Sequence, residues 1–375
     1  MKWMNRLFRY PLPYDTEGSN ELFLRAVREN CRYQYLHNAK YRAILDGKGF
    51  HPSMLRTYDD IAALPVIPTL VFKHHAMYTL SPRRMPVKAT SSGTGGAFSR
   101  VGFAWGDLRR GLSMVLRVVG YRRLFSLRPA NYIVFGYKPH RSNHTAVTKT
   151  AFGATLFTPQ LHRTYALRYT DGRYVPDLEG VIRAILRFSR SRFPLRFMGF
   201  PSYTYFAMRM LDERGISLRL PKGSKIMLGG GWKQFYREAV DKSAFYALAK
   251  KVFNIDDCNI VEFFGAVEHP ILYCDCPRHH FHVPVYGRVI IRDVNTLAPL
   301  PYGHMGLVNL VSPMVMATPI LSVMTDDLGV LRDGRECGCG LTSPYLEIIG
   351  RVGLKDIKTC AAGAADILKE TGGSV

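Results

Sequence analysis

Residues 225–233 read KIMLGGGWK, and this stretch decides the fold class. Ile226, Met227 and Leu228 make a short apolar run of the kind buried in a parallel sheet; Gly229, Gly230 and Gly231 stop it, and a helical pattern follows. In open α/β sheets, a strand that delivers a glycine turn and then a helix marks the place where ligands sit, outside the strand's carboxyl end. The neighbouring sequence repeats the alternation. Residues 132–136, 154–158 and 195–199 predict strands. Asp177 predicts the cap of a helix carrying Leu178, Val181, Ile182, Ile185 and Leu186 on one face, and residues 203–211 predict another helix that stops near Gly215. The result is an α/β protein with a largely parallel sheet.

Farther out, residues 19–46 predict one long helix ended by Gly47 and Gly49, residues 58–64 a short helix, and residues 105–119 a longer one. Pro65, Pro68 and the run Leu70-Val71-Phe72 predict an extended path between them. From Tyr286 to Met324 the pattern changes to short Val- and Ile-rich runs separated by Pro and Gly, which predicts antiparallel β structure, a small barrel or second sheet.

The chain of 375 residues is 47% hydrophobic, enough for a substantial core, and carries 51 Lys and Arg against 29 Asp and Glu, a formal charge of +22. That balance favours anionic partners such as ATP or an acidic carrier protein. Nucleic acid ranks below these, because there is no basic tail, zinc-finger spacing or aromatic RNA-binding signature. Residues 1–18 lack the apolar core of a secretory signal. The uncharged run Met305–Met324 contains Asn309, Pro313 and Pro319, so no membrane span is expected. Seven cysteines, an odd number, fit reduced thiols and a cytoplasmic location.

Six further stretches carry chemistry. TSSGTGGAFSR, residues 90–100, has the small residues and hydroxyls that let backbone N–H groups close around a phosphate, with Arg100 as its cation. It lacks the Gly-Lys-Ser/Thr ending of a P-loop. Glu268 follows the turn of FFGAVE and is placed to hold Mg²⁺ against a polyphosphate. Asp327, in TDDLG, suits ribose hydroxyls, and Arg351, after Gly350, suits phosphate or ribose oxygens. Cys274-x-Cys276 and Cys337-x-Cys339 are two thiol pairs that would make a tetrahedral structural Zn²⁺ site if the fold joins them, with His279, His280 and His282 as competing ligands.

The order of the Ser/Thr/Gly loop, the glycine turn of LGGGWK, FFGAVE, TDDLG and Gly350-Arg351, with LGGGWK as the most specific, resembles the adenylate-forming ligase superfamily, and within it the acyl-protein synthetases of the LuxE type; phenylacetate-CoA ligases are more distant relatives. The resemblance implies that Ser91, Ser92, Gly93, Thr94, Gly95 and Gly96 hold the β- and γ-phosphates of ATP. It implies that Gly230, Gly231 and Trp232 contact adenine, that Glu268 binds magnesium, Asp327 ribose, and that Arg351 is the hinge arginine. The implied activity is conversion of a carboxylic acid, a fatty acid in this family, to an acyl adenylate.

Departures from the pattern are also visible. Gly95 stands where the superfamily has a second Thr, and Arg100 near where many members have Lys. The resemblance implies residues 1–349 as the adenylate-forming core, with its antiparallel part at about 286–349, and 350–375 as a short hinge and tail in place of the lid domain and its lysine. Lys233 is the favoured substitute for that charge. Cys360, among small neighbours, matches the cysteine that accepts the acyl group and passes it to a partner acyl reductase. The alternatives are a ligase that delivers the acyl group to CoA, an amine or a carrier protein, and a non-catalytic nucleotide-binding or partner-binding scaffold.

Overall fold

The computed structural model describes residues 1–91, 98–143, 145–231 and 240–351, the last by its backbone alone. Its elements, in chain order, are α1 (Lys2–Leu7), α2 (Asn20–His37), α3 (Ala39–Gly47), β1 (Ile67–Pro68), α4 (Thr69–His74), β2 (Val87–Thr90), β3 (Arg100–Phe103), α5 (Trp105–Tyr121), β4 (Ala130–Tyr137), α6 (Ala146–Ala154), β5 (Gln160–Thr170), β6 (Arg173–Pro176), α7 (Leu178–Ser189), β7 (Leu195–Gly199), α8 (Pro201–Glu213), β8 (Lys225–Gly229), α9 (Lys242–Phe253), β9 (Ile260–Ala266), β10 (His269–Cys274), β11 (Phe281–His282), β12 (Arg288–Arg292), β13 (Met305–Val311), β14 (Ser322–Arg332) and β15 (Tyr345–Arg351). They form two compact units, Arg122–Phe264, and Met1–Tyr121 with the chain from Gly265 onward.

The inserted unit, Arg122–Phe264, is the α/β part foreseen around KIMLGGGWK. Its strands lie in the order β9, β8, β7, β4, β5, β6; every pairing is parallel except β5 with β6. Side chains alternate across a strand, and here both faces are apolar. Ile133, Phe135, Phe197, Ile226 and Leu228 face a core built with α7, α8 and α9. Tyr132, Val134, Met198 and Met227 face a second core that includes Ala151 and Ala154 of α6. Asp177 caps α7 by accepting from the Gly180 N–H at 2.9 Å.

The other unit is mainly antiparallel. Its sheet runs β11, β15, β14, β13, β12, with β1 added parallel to β14. Arg288 ties the N-terminal segment to β12: its buried guanidinium donates to Thr16 O, Val285 O, Gly287 O, Tyr58, Ser19 and Asn20. Asp107 and Arg110 form a buried ion pair on α5, and Asp107 also accepts the N–H groups of Met316 and Ala317. Met305–Met324 is strand and turn, and among the described residues no helix is long and apolar enough to cross a membrane.

Three local readings are corrected. The helix expected over 19–46 is two helices, because Asn38 leaves α2 in an extended conformation and its side chain caps α3 by accepting from Tyr41 N–H. Residues 155–157 are a 3-10 turn after α6, with Thr155 bonded back to Phe152 O, and the strand starts only at Gln160. Leu70-Val71-Phe72 lies in helix α4; Pro68 supplies an extended residue before the first helical position, and Thr69, Val71 and Phe72 are buried. This last change matters for the site.

Candidate functional site

The sequence of the glycine loop falls between two paired strands. β2 and β3 pair from Val87 with Phe103 to Thr90 with Arg100. Beyond them Ser91 N–H donates to Ser99 O at 3.1 Å, and Ser99 N–H to Ser91 Oγ at 2.9 Å. Ser91 and Ser99 are thus held to each other by two hydrogen bonds. Ser92, Gly93, Thr94, Gly95 and Gly96 lie outside the described residues. Arg100 is exposed, its guanidinium 5.8 Å from the centre of the Phe98 ring.

Glu268 sits in the two-residue turn between β9 and β10 and is only 5% exposed. Burial raises its carboxyl above the ordinary range; Ser99 and Lys73 oppose the rise, and Asp326 adds to it. A carboxylate so desolvated, with a second acid in its field, suits a cation. His269, the next residue, is fully buried, with Nε2 3.1 Å from the Tyr273 hydroxyl, and burial depresses its pKa to about 3, so it stays neutral.

Asp326 and Lys73 were missed in the sequence. Lys73 Nζ, in the last turn of α4, is 3.7 Å from Asp326 Oδ2, and Thr69 Oγ1 donates to Asp326 Oδ1 at 3.3 Å. An extended path through Leu70–Phe72 gave no reason to set Lys73 beside an acid. The helix, whose neighbour β1 pairs with β14 at Ile67 with Val323 and Pro68 with Met324, supplies that reason.

Asp327 is displayed by a bulge. Leu307 pairs with Leu328 and Asn309 with Met324, so Val308 alone opposes Thr325, Asp326 and Asp327. Extra residues in one strand re-aim side chains, and here Asp326 is buried while Asp327 is half-exposed. Asp327 also faces Arg351 in the β14–β15 register, which brings the expected ribose acid and hinge arginine opposite each other along the backbone.

In the inserted unit, β8 ends at Gly229 and the chain turns through Gly230 at φ 83° and Gly231 at φ 67°, values that penalise any residue with a Cβ. This is the strand-to-glycine turn that KIMLGGGWK foretold. Trp232, Lys233 and Cys360 lie outside the described residues.

The cysteine expectation is corrected in one member. The ligand atoms of Cys276, His282, Cys337 and Cys339 all lie within 4.8 Å of one another. Cys274 is buried at the end of β10 and is not among them; the chain turns after it, and β11 brings in His282 instead. Cys276 Sγ is 3.5 Å from Cys337 Sγ, and His282 Nε2 is 3.3 Å from Cys339 Sγ. The Cys337 thiol is pushed up by burial and then by Cys339 and Cys276. Cys31, expected as a packed core thiol, is fully buried and pushed up to about 12 by burial.

The sequence model of the family described as acyl-protein synthetase, LuxE, matches residues 7–369. The long-chain-fatty-acid–luciferin-component ligase of Aliivibrio fischeri is 26% identical over 367 residues, 96% of this chain and 92% of the relative. Its namesake from Vibrio harveyi is 26% identical over 354 residues, 94% and 89% of the two chains. Among solved structures, an open conformation of 2-hydroxyisobutyryl-CoA ligase in complex with 2-HIB-AMP and CoA superimposes with a TM-score of 0.71 at 16% identity, over 92% of this chain and 76% of the other. That likeness establishes the fold of an adenylate-forming ligase.

Proposed function

Because this chain belongs to the LuxE family of acyl-protein synthetases, we propose that it activates a long-chain fatty acid with ATP and carries the acyl group on Cys360. The supporting observation is the family match over residues 7–369, which spans both Glu268 and Cys360. The acid carboxylate attacks the α-phosphorus of ATP and pyrophosphate departs, leaving an acyl adenylate. The thiolate of Cys360 then attacks the acyl carbonyl carbon, AMP leaves, and a thioester remains. An acyl reductase, or an acidic carrier protein drawn by the +22 charge, receives the acyl group.

Chemistry of this kind runs on positioning and charge neutralisation. The loop from Ser91 to Gly96, with Arg100, would hold the phosphates; Gly230, Gly231 and Trp232 the adenine; Asp327 and Arg351 the ribose. Mg²⁺ would neutralise phosphate oxygens. Glu268 fits it, since a buried carboxyl with a raised proton affinity gains from a cation what it lost in leaving water. Lys73 and Asp326 contribute charge to the field at Glu268, and Lys233 would supply further charge.

The test is intact-protein mass spectrometry after incubation with ATP, Mg²⁺ and a series of fatty acids, on wild type and Cys360→Ser. A hydroxylamine-labile gain in mass in wild type alone supports the reading and names the acid. An acid-dependent release of AMP that needs added CoA or carrier protein, and survives Cys360→Ser, replaces it with an ordinary ligase. ATP binding without any acid-dependent turnover replaces it with a scaffold.

A further inference from the structure

Far along the chain from the glycine loop, four ligand-bearing side chains converge from two segments: Cys276 and His282 flank the turn into β11, and Cys337 and Cys339 lie between β14 and β15. We propose that they bind one Zn²⁺ in a closed tetrahedral Cys₃His site that fastens β15, the strand carrying Gly350 and Arg351, to the β10–β11 segment.

The spacing fits the ion. Thiolates about 2.3 Å from zinc in a tetrahedral site stand about 3.8 Å apart; the Cys276 and Cys337 sulfurs are 3.5 Å apart, and the other ligand atoms lie within the same small sphere. The histidine has its tautomer settled. His282 Nδ1 is 2.6 Å from Ser343 O, an acceptor only, so Nδ1 carries the proton and Nε2 turns its lone pair toward Cys339 Sγ at 3.3 Å. His282 is fully buried and Ser343 likewise, so this orientation is held by the core.

The surrounding backbone is shaped for the same purpose. Cys276 is presented by a closed turn: its N–H donates to His280 O and its carbonyl accepts from His279 N–H, both at 2.9 Å. The Arg278 N–H points at Cys276 Sγ at 3.3 Å, and His280 Nδ1 lies 3.1 Å from Cys337 Sγ. These donors would share the excess negative charge that three thiolates bring. The His280 ring stacks on Tyr345, the first residue of β15, at 4.4 Å. Between the second pair of thiols, Gly338 adopts φ 68°, which reverses the chain so that Cys337 and Cys339 address one point.

Three soft sulfurs and one imidazole, with no carboxylate among the four, select zinc over magnesium or calcium. A complete set of four protein ligands leaves no open position, which marks the site as structural. Binding converts three thiols to thiolates with release of three protons and transfers no electrons. His282 pairs with Tyr345 in the β11–β15 ladder, so the ion would hold the start of the strand whose far end sets Arg351 opposite Asp327.

The test uses the full chain purified without chelator. Elemental analysis is expected to give one zinc per chain, and exchange for cobalt to give the intense visible absorption of a tetrahedral thiolate complex. His282→Ala and Cys339→Ser are expected to lose the metal, and Cys258→Ser, at an exposed thiol, to keep it. If the ligand variants fail to fold, the wild-type metal content and cobalt spectrum decide by themselves. Wild type free of zinc after growth in zinc-supplemented medium overturns the proposal. So does a chain lighter by two hydrogens with a linked Cys276–Cys337 peptide, or full zinc retention by Cys339→Ser. None of these readouts involves acyl transfer, so the outcome is separate from that of the ligase reading.

Discussion

Replacing Lys73 with methionine keeps most of the stem and removes only the charge, and its effect can be worked from the geometry. Lys73 Nζ lies 3.7 Å from Asp326 Oδ2, with side-chain exposures of 15% and 10%. At an effective dielectric constant of about 20, that distance corresponds to about 4.5 kcal/mol of attraction, an upper bound on the net value. Removing one partner of a buried pair costs about 3–5 kcal/mol, and an exposed pair is worth at most about 1 kcal/mol, so this partly covered pair should lie near 2 kcal/mol. The loss should depend on pH. Lys73 favours the ionised form of Glu268, whose proton affinity is raised in the folded state. When Glu268 is protonated Lys73 does nothing for it, so the deficit of Lys73→Met should be largest at about pH 8 and narrow as pH falls through the Glu268 titration. Urea denaturation of both proteins across that range measures it, with slopes checked for equality. A deficit that is absent, or of one size at every pH, would refute the electrostatic account and leave Lys73 as a packing residue.

The same linkage has the opposite sign for Glu268→Gln. A carboxyl with raised folded affinity costs the wild type stability as pH rises above the ordinary value of 4.5, so the amide should stabilise the fold at about pH 8 and flatten its pH dependence. Acid-dependent ATP–pyrophosphate exchange by the same variant should fall about a hundredfold or more, as expected on losing a group that neutralises developing charge; a variant both stabler and fully active would dismiss Glu268 from the reaction. Arg288→Met should destabilise by about 3 kcal/mol, because the carbonyls of Thr16, Val285 and Gly287 lose their buried donor; chemical denaturation reads this directly. Asn38→Ala removes the cap of α3 and the hydrogen bond that the Asn38 side-chain N–H donates to Thr79 Oγ1, and should cost about 1–2 kcal/mol in thermal or urea unfolding.

Much of the architecture was legible because it follows from local pattern. KIMLGGGWK foretold a strand, a glycine turn and an α/β sheet, and β8 followed by the turn at Gly230 and Gly231 bears that out. The caps and periodicity of α7 and the Val/Ile runs of β12 and β13 were readable for the same reason: alternation and helical spacing report which face is buried. Where local and tertiary preferences competed, the reading failed. Leu70-Val71-Phe72 has the composition of a strand, yet it forms α4 because burying Thr69, Val71 and Phe72 on one side outweighs propensity.

The candidate site divides along the same line. Residue types and their order made the candidates legible: a small-residue loop, a lone Glu268, an acid at Asp327, a Gly-Arg pair, and thiols in two pairs. Only tertiary structure decided the company each keeps. The helical turn of α4 sets Lys73 beside Asp326, the bulge in β14 separates Asp326 from Asp327, and strand register puts Arg351 opposite Asp327. Among the thiols, the turn after β10 drops Cys274 and recruits His282 from β11. The physical reason is common to all of them. Sequence spacing constrains partners within a few residues, whereas contacts separated by dozens of residues are set by strand pairing and burial, which a local pattern does not encode.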